Sequence, residues 1–185
     1  ALKGAAAYED WLAEGDADFA WARLDENTAA GLCYTSGTTG GPKGVLYSHR
    51  SNVLHAMACA QPDYMGLSSR SVVMPVVPLF HANSWSLAYS APMTGAKLVL
   101  PGMKLDGASL LELLNGEGVT LTAAVPTVWL GLLQHLEATG EKLTSLKRVV
   151  IGGSACPRAM TEAFETKYGV TVDHAWGMTE TSPIG

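Results

Sequence analysis

The stretch from Val119 to Gly140 reads VTLTAAVPTVWLGLLQHLEATG and holds one complete β-α unit. The apolar run Val119 to Ala124 predicts a buried strand, and Pro126 with Thr127 marks the start of a helix. Apolar residues then recur on one helical face until Gly140, namely Val128, Trp129, Leu132, Leu133 and Leu136. A buried strand followed directly by an amphipathic helix is typical of an α/β fold.

The same alternation extends in both directions from this unit. Further strands are predicted at Leu32 to Tyr34, Val72 to Val77, Lys97 to Leu100, Arg148 to Ile151 and Val170 to Asp173. Two more helices have start signals, because Asp106 precedes a leucine-rich run and Pro157 precedes an apolar stripe that Gly169 closes. We therefore expect an α/β domain over residues 31–185, with a mostly parallel sheet and flanking helices, after a connecting segment over residues 1–30.

Composition excludes several classes of function. The 185 residues are 48% hydrophobic, enough to bury the core of one ordinary domain. The formal net charge of -5 leaves no basic stripe for a nucleic acid. The three cysteines have no Cys-x-x-Cys spacing, which excludes the usual zinc and redox motifs. No apolar run approaches the roughly 18 residues of a transmembrane helix, so we expect a cytoplasmic protein.

The loop from Thr35 to Gly44, TSGTTGGPKG, suits a phosphate group. It contains four glycines, four hydroxyl side chains and one lysine, Lys43. Glycines let backbone N–H groups approach oxygen anions, hydroxyls donate further hydrogen bonds, and the lysine adds a positive charge. A Walker P-loop is disfavoured, because Pro42 precedes Lys43 and Gly44 follows it. A plain surface turn rich in Gly, Ser and Thr is the structural alternative.

Three other loops follow predicted strands and carry unusual residues. His81 and Trp85 stand four apart, on one face if a helix begins near Ala82, and a core histidine packed on tryptophan is the alternative. The segment 174–181, HAWGMTET, offers an aromatic ring for stacking and Glu180 for Mg²⁺, unless it simply begins a helix. For the segment 151–157, IGGSACP, the alternative is a tight strand-to-helix turn, which its paired glycines would satisfy.

Tyr34 to Val45, YTSGTTGGPKGV, closely resembles the signature of the adenylate-forming superfamily, which includes acyl-CoA synthetases, luciferases and peptide-synthetase adenylation domains. The other loops occur in the family's order and at compatible separations. The segments HANSW (81–85), GGSA (152–155) and PTVW (126–129) look closest to fatty-acyl-CoA synthetases and methylmercaptopropionate-CoA ligases. The resemblance implies part of the large N-terminal domain of such an enzyme.

The resemblance also implies a role for each matching residue. Those expected to bind ATP are Thr35, Ser36, Gly37, Thr38, Thr39, Gly40, Lys43, Gly153, Ser154, Ala155, His174, Ala175, Trp176, Gly177, Met178 and Thr179. Those expected to contact the acyl group are His81, Trp85, Val125, Trp129, Gly152 and Gly153, although Trp129 suits the core equally well. Thr35 and Glu180 are expected to bind Mg²⁺, and both are expected to act in catalysis together with His81. The family usually has Tyr where this chain has Trp176, and either ring presents a flat face for stacking.

The reaction implied is activation of a carboxylic acid by ATP and Mg²⁺ to an acyl adenylate, followed by transfer to CoA as co-substrate. Peptide-synthetase adenylation domains need an Asp for the substrate's amino group soon after the phenylalanine-rich segment, whereas His81, Ala82 and Asn83 follow Phe80 here. The resemblance therefore favours a fatty acid over an amino acid. A homodimer is the expected assembly, with no nucleic-acid partner. The alternatives are a nucleotide-binding module without chemistry, and adenylation of another carboxylate with a non-CoA acceptor.

The chain begins at Ala1 rather than Met and stops at Gly185, so we expect truncation at both ends. In the family, the acidic ribose-binding residue, the hinge and the catalytic lysine domain all lie downstream of the matching region. The isolated 185 residues are therefore expected to turn over no substrate.

Overall fold

The computed structural model describes residues 4–36 and 40–184, which form two sheets. A small antiparallel sheet pairs β1 (Ala29–Thr35) with β2 (Lys43–Ser48). A parallel sheet has the spatial order β4-β3-β5-β6-β7. Its strands are β3 (Val72–Pro75), β4 (Lys97–Leu98), β5 (Leu121–Ala124), β6 (Arg148–Ile151) and β7 (Thr171–His174). The predicted α/β class with a mostly parallel sheet is confirmed.

Helices cover both faces of the parallel sheet. The helices are α1 (Tyr8–Leu12), α2 (His49–Cys59), α3 (Ala82–Trp85), α4 (Leu87–Thr94), α5 (Gly107–Gly116), α6 (Pro126–Thr139) and α7 (Arg158–Glu162). A π-helical turn, Ala163–Lys167, continues α7, and a 3-10 turn spans Thr179–Thr181. Every helix within the described ranges is too short or too polar to cross a bilayer.

The order of the strands explains why a separate hydrophobic core lies on each face of the parallel sheet. From β3 the chain moves to one side, to β4, and then always to the other side, to β5, β6 and β7. Right-handed crossovers therefore place α4 on one face and α5, α6 and α7 on the opposite face. Neighbouring residues of β3 confirm this, because Val73 packs in one core and Met74 in the other. A sheet covered on both faces has its ligand site at the carboxyl edge.

Several predicted boundaries are confirmed at their start and stop signals. Helix α6 runs from Pro126 to Thr139 and ends at Gly140, as the pattern predicts. Asp106 caps α5, because its carboxylate accepts a hydrogen bond from the N–H of Ser109 at 3.0 Å. Residues 4–28 contain only α1, which has no buried residue.

The prediction for the first strand is wrong in one respect. Leu32 and its neighbours form a strand, but it belongs to the antiparallel sheet and pairs with β2, a strand that is absent from the predicted set. A parallel connection needs a crossover of about a dozen residues or more. The connection between β1 and β2, residues 36–42, is too short for one, so the chain turns back as a hairpin.

Candidate active site

The segment after β3 forms a left-handed helical turn, α3. The φ angles of Ala82, Asn83, Ser84 and Trp85 are 47°, 54°, 54° and 53°. Each L-residue in this conformation costs roughly 1–2 kcal/mol. The turn that begins at Ala82 is therefore left-handed, and His81 precedes it in an extended conformation. His81 is exposed and Trp85 is buried, yet both line one cavity.

A buried hydrogen bond fixes the left-handed turn. The hydroxyl of Ser84, which is fully buried, donates to the carbonyl oxygen of Val77 at 2.5 Å, and the Ser84 N–H donates to the His81 carbonyl at 3.0 Å. Strained backbone persists where its surroundings determine it, and it concentrates at functional sites. Ser84 thus holds the turn that presents His81 and Trp85.

Replacing Ser84 by Ala is expected to lower the free energy of unfolding by about 1–3 kcal/mol, because it leaves the Val77 carbonyl buried without its donor. Ser86 is the matched control, since its buried hydroxyl has no hydrogen-bond partner within the described residues. Ser86→Ala should be close to neutral. Denaturant unfolding of both variants measures the difference, and equal losses would contradict this account of the turn.

The first cavity has a volume of about 190 Å³ and lies at the carboxyl edge of the parallel sheet. Loops after three strands line it, with His81 and Trp85 after β3, Gly152 and Gly153 after β6, and residues 175–179 after β7. Position 152 requires glycine, because neighbouring atoms lie too close for a side chain. A Cβ there would lie 2.9 Å from the Ala175 carbonyl oxygen and 3.0 Å from Trp85 Cη2. The glycine therefore lets the indole lie directly against the β6 turn.

A second cavity, of about 410 Å³, adjoins the first. Ser154, Ala155 and His174 line it together with Gly153 and residues 175–177, most of which also line the first cavity. His174 Nε2 accepts a hydrogen bond from the Cys156 N–H at 3.2 Å, which ties the β6 turn to the end of β7. Trp176 borders both cavities and is 64% exposed, so its ring is free to contact a ligand.

The phosphate-loop hairpin lies next to the segment after β7, which we call the Trp176 loop (residues 175–184). Thr35 pairs with Lys43 at the loop end of the hairpin, where the Lys43 side chain is exposed. The hydroxyl of Tyr47, in β2, donates to the Thr179 carbonyl oxygen at 2.5 Å. Glu180 follows in the 3-10 turn and is exposed. The hydrogen bond from Tyr47 therefore places the hairpin beside the turn that carries Glu180.

The phosphate loop itself is described in part. Ser36 and Gly40 are exposed at the two ends of the connection. Gly37, Thr38 and Thr39, which the resemblance assigns to ATP, lie outside the described residues.

The predicted acyl-contacting residues divide between the cavity and the core. A Cβ on Gly153 would lie 3.1 Å from Val125 Cγ1, so Val125 borders the β6 turn. Trp129 is fully buried in the core that α5, α6 and α7 cover, with its ring edge-on to Phe164 at 6.1 Å. Trp129 therefore lies in the hydrophobic core, which was the alternative interpretation of this residue.

Residues absent from the sequence-based site also line the first cavity, namely Ala82, Pro183 and Ile184. Pro183 and Ile184 fold back toward Gly177, where the Met178 N–H donates to the Pro183 carbonyl at 2.9 Å. No periodic sequence pattern predicts that the backbone returns toward Gly177 in this way. The only sequence signal for these residues was that they lie close to Glu180 along the chain.

Comparison with known proteins bears on the whole chain. The sequence model of the family described as AMP-binding enzyme matches residues 2–185. The chain is 58% identical over 184 residues to a medium-chain-fatty-acid–CoA ligase of Ectopseudomonas oleovorans, covering 100% of this chain and 34% of the relative. It is 55% identical over 184 residues to a 3-methylmercaptopropionyl-CoA ligase of Ruegeria lacuscaerulensis, again covering 100% and 34%. The chain thus spans about a third of the length of these curated relatives.

A solved structure agrees with the fold. O-succinylbenzoate coenzyme A synthetase from Bacillus subtilis, in complex with ATP and magnesium ion, superimposes with a TM-score of 0.78 and 28% identity. The match covers 94% of this chain and 35% of that one. With the family match over almost its full length, the chain belongs to the AMP-binding enzyme family.

Proposed function

We propose that the protein containing this chain activates a carboxylic acid with ATP, giving an acyl adenylate, and then transfers the acyl group to CoA. The observation that carries the proposal is the pair of adjoining cavities that meet at Trp176. An acyl adenylate has an apolar chain and a flat base on opposite sides of one phosphate. Two cavities that meet at one exposed aromatic ring suit that shape.

Each cavity suits one half of the intermediate. The second cavity would hold adenine, with the indole of Trp176 stacked on the base and the small residues Gly153 and Ala155 leaving room for it. The first cavity would hold the carboxyl end of the acyl group, against Trp85 and Gly152. His81, exposed on its wall, would contact the carboxylate where it meets the α-phosphate.

The first chemical step forms one bond and breaks one. A carboxylate oxygen attacks the α-phosphorus of ATP, and pyrophosphate leaves with the electron pair of the broken P–O bond. The thiolate of CoA then attacks the acyl carbon, and AMP leaves. Neither step needs a covalent nucleophile from the protein, so positioning and charge neutralisation are the main contributions of the chain. Thr35, Ser36 and Lys43 would orient the β- and γ-phosphates.

Magnesium fits the residues present. Glu180 and Thr35 offer oxygen ligands, which Mg²⁺ prefers, and one or two carboxylates with substrate phosphates are its usual ligands. Among residues 4–36 and 40–184 no group of three or more His, Cys, Asp or Glu side chains could hold a metal ion. Glu180 would therefore hold Mg²⁺ together with phosphate oxygens. When bound, the ion offsets negative charge on the phosphates.

Pyrophosphate exchange into ATP, measured on the full-length protein, tests this function. Exchange should depend on a medium-chain fatty acid or 3-methylmercaptopropionate, and amino acids should not support it. Exchange that requires an amino acid would contradict the substrate class. ATP binding without any acid-dependent exchange would favour a nucleotide-binding module instead.

A further inference from the structure

We infer that Tyr47, His55 and Tyr64 form a clamp that positions the Trp176 loop for adenylation. All three are positioning residues, because they hold the backbone of the loop and act on substrate only through it. They come from β2, α2 and the segment after α2, all outside the parallel sheet that provides the cavities. The inference rests on the proposed function.

Tyr47 holds the loop at the position of Glu180. Its hydroxyl donates to the carbonyl oxygen of Thr179 at 2.5 Å, and its side chain is buried. Burial, together with smaller contributions from the nearby Cys33 and Glu180, raises the pKa of Tyr47 to about 12, so the phenol keeps the proton that it donates. Strand β2 begins at Lys43, where the phosphate loop ends. Tyr47 therefore also fixes the distance between that loop and Glu180.

His55 and Tyr64 hold the far end of the loop. The Ile184 N–H donates to His55 Nε2 at 3.3 Å, and the Tyr64 hydroxyl donates to the Ile184 carbonyl oxygen at 2.9 Å. The Tyr64 oxygen lies 3.1 Å from His55 Nε2, so both side chains meet at Ile184, where Tyr64 donates to the carbonyl and His55 accepts from the N–H. Both backbone polar groups of Ile184 are thus satisfied by side chains from the α2 region.

The protonation of this group agrees with its role. Burial lowers the pKa of His55, which keeps the ring neutral and Nε2 free to accept from the Ile184 N–H. On the other side of the ring, Cys59 Sγ lies 3.7 Å from Nδ1, and burial raises the pKa of this thiol to about 11. A neutral thiol and a neutral imidazole leave the clamp without a buried charge.

The Trp176 loop connects the clamp residues to the two cavities. Ile184 pairs with Gly177 in an isolated antiparallel bridge, and Met178 bonds to Pro183 beside it. A Cβ on Gly177 would overlap the Pro183 carbonyl oxygen, so the two arms of the loop are in direct contact. Gly177 lines both cavities. Since the clamp uses only backbone groups of the loop, the Glu180 side chain stays exposed for a ligand.

Tyr47→Phe in the full-length enzyme tests the clamp, because it removes one hydroxyl and keeps the ring. We expect the KM for MgATP in pyrophosphate exchange to rise about 2- to 10-fold, the range that one hydrogen bond gives. The KM for the fatty acid should change less than about twofold. A loss of folded enzyme would instead lower kcat and leave both KM values unchanged.

Two controls sharpen this test. Tyr89→Phe should leave both KM values unchanged, since the Tyr89 hydroxyl makes no hydrogen bond within the described residues and its ring lies outside both cavities. In a double-mutant cycle, adding Tyr47→Phe to Glu180→Ala should change the rate no further, because Tyr47 acts through the Glu180 turn. Additive effects would overturn the inference.

His55 offers a test by rescue. His55→Gln keeps a side-chain acceptor for the Ile184 N–H, whereas His55→Leu removes it. We expect the leucine variant to raise the KM for MgATP and the glutamine variant to restore most of the loss. Equal effects of the two substitutions would mean that packing alone matters at this position.

Amide hydrogen exchange separates failure of the clamp from failure of the proposed function. Exchange of peptides covering residues 175–184 should be faster in Tyr47→Phe than in wild type or Tyr89→Phe, whether or not the enzyme turns over. An inactive wild type with this change in exchange would contradict the proposed function alone. Unchanged amide hydrogen exchange over residues 175–184, together with an unchanged KM for MgATP, would overturn the clamp.

Discussion

Replacing Glu180 by Ala is expected to lower the rate of adenylate formation by about 10²–10³-fold in the full-length enzyme, the loss typical of removing one group that stabilises transition-state charge. The physical reason is that Glu180 is the exposed carboxylate of the Trp176 loop, and no cluster of described side chains could replace it as a metal ligand. Pyrophosphate exchange at several Mg²⁺ concentrations measures the effect.

The two half-reactions distinguish loss of the metal ligand from general damage. Thioester formation from a chemically prepared acyl adenylate releases no pyrophosphate, so Glu180→Ala should slow it far less than adenylation. Glu112→Ala is the matched control, because Glu112 is an exposed glutamate on α5, away from both cavities. Equal slowing of both half-reactions, or a normal exchange rate, would contradict the proposed role of Glu180.

Calorimetry gives a second view of the same substitution. MgATP should bind Glu180→Ala more weakly than wild type, while ATP without Mg²⁺ should bind both proteins alike. If the affinity for ATP alone also falls, Glu180 contributes to the nucleotide site in some way other than through the metal.

The parallel sheet could be predicted from the sequence because its signals are local. Buried strands such as Arg148–Ile151 are short apolar runs, and the helices between them carry Pro, Asp or Gly at their ends. Loops at the carboxyl edge then follow from the fold class. His81, Gly152 and Trp176 come from three such loops, and the structure brings them to one cavity.

The left-handed turn and the clamp could not be predicted, because neither depends on a local pattern. Asparagine tolerates a positive φ better than most residues, but one asparagine in the sequence ANSW does not predict four successive left-handed residues. The turn depends on a hydrogen bond between Ser84 and Val77, inside a core that exists only after folding. Tyr47 and Thr179 are likewise joined across 132 positions of the chain.

Trp129→Ala is expected to lower the free energy of unfolding by about 3–5 kcal/mol, the usual loss for removing a large aromatic side chain from a core. Trp129 is fully buried between α6 and the π-helical turn, where its ring contacts Phe164. Its indole N–H has no hydrogen-bond partner within the described residues, so Trp129→Phe removes an unpaired donor and should cost much less than alanine. Denaturant unfolding of the two variants measures both effects.

The same substitution decides between the two interpretations of Trp129. Trp21→Ala is the matched control, because this tryptophan is 87% exposed and its loss should change stability by less than about 0.5 kcal/mol. If Trp129 acts only in the core, the preference for acyl chain length should stay constant among those molecules that remain folded. A shifted preference with normal stability would instead place Trp129 at the acyl group, and the cavity bordered by Trp85 and Gly152 would then have to extend toward α6 when substrate binds.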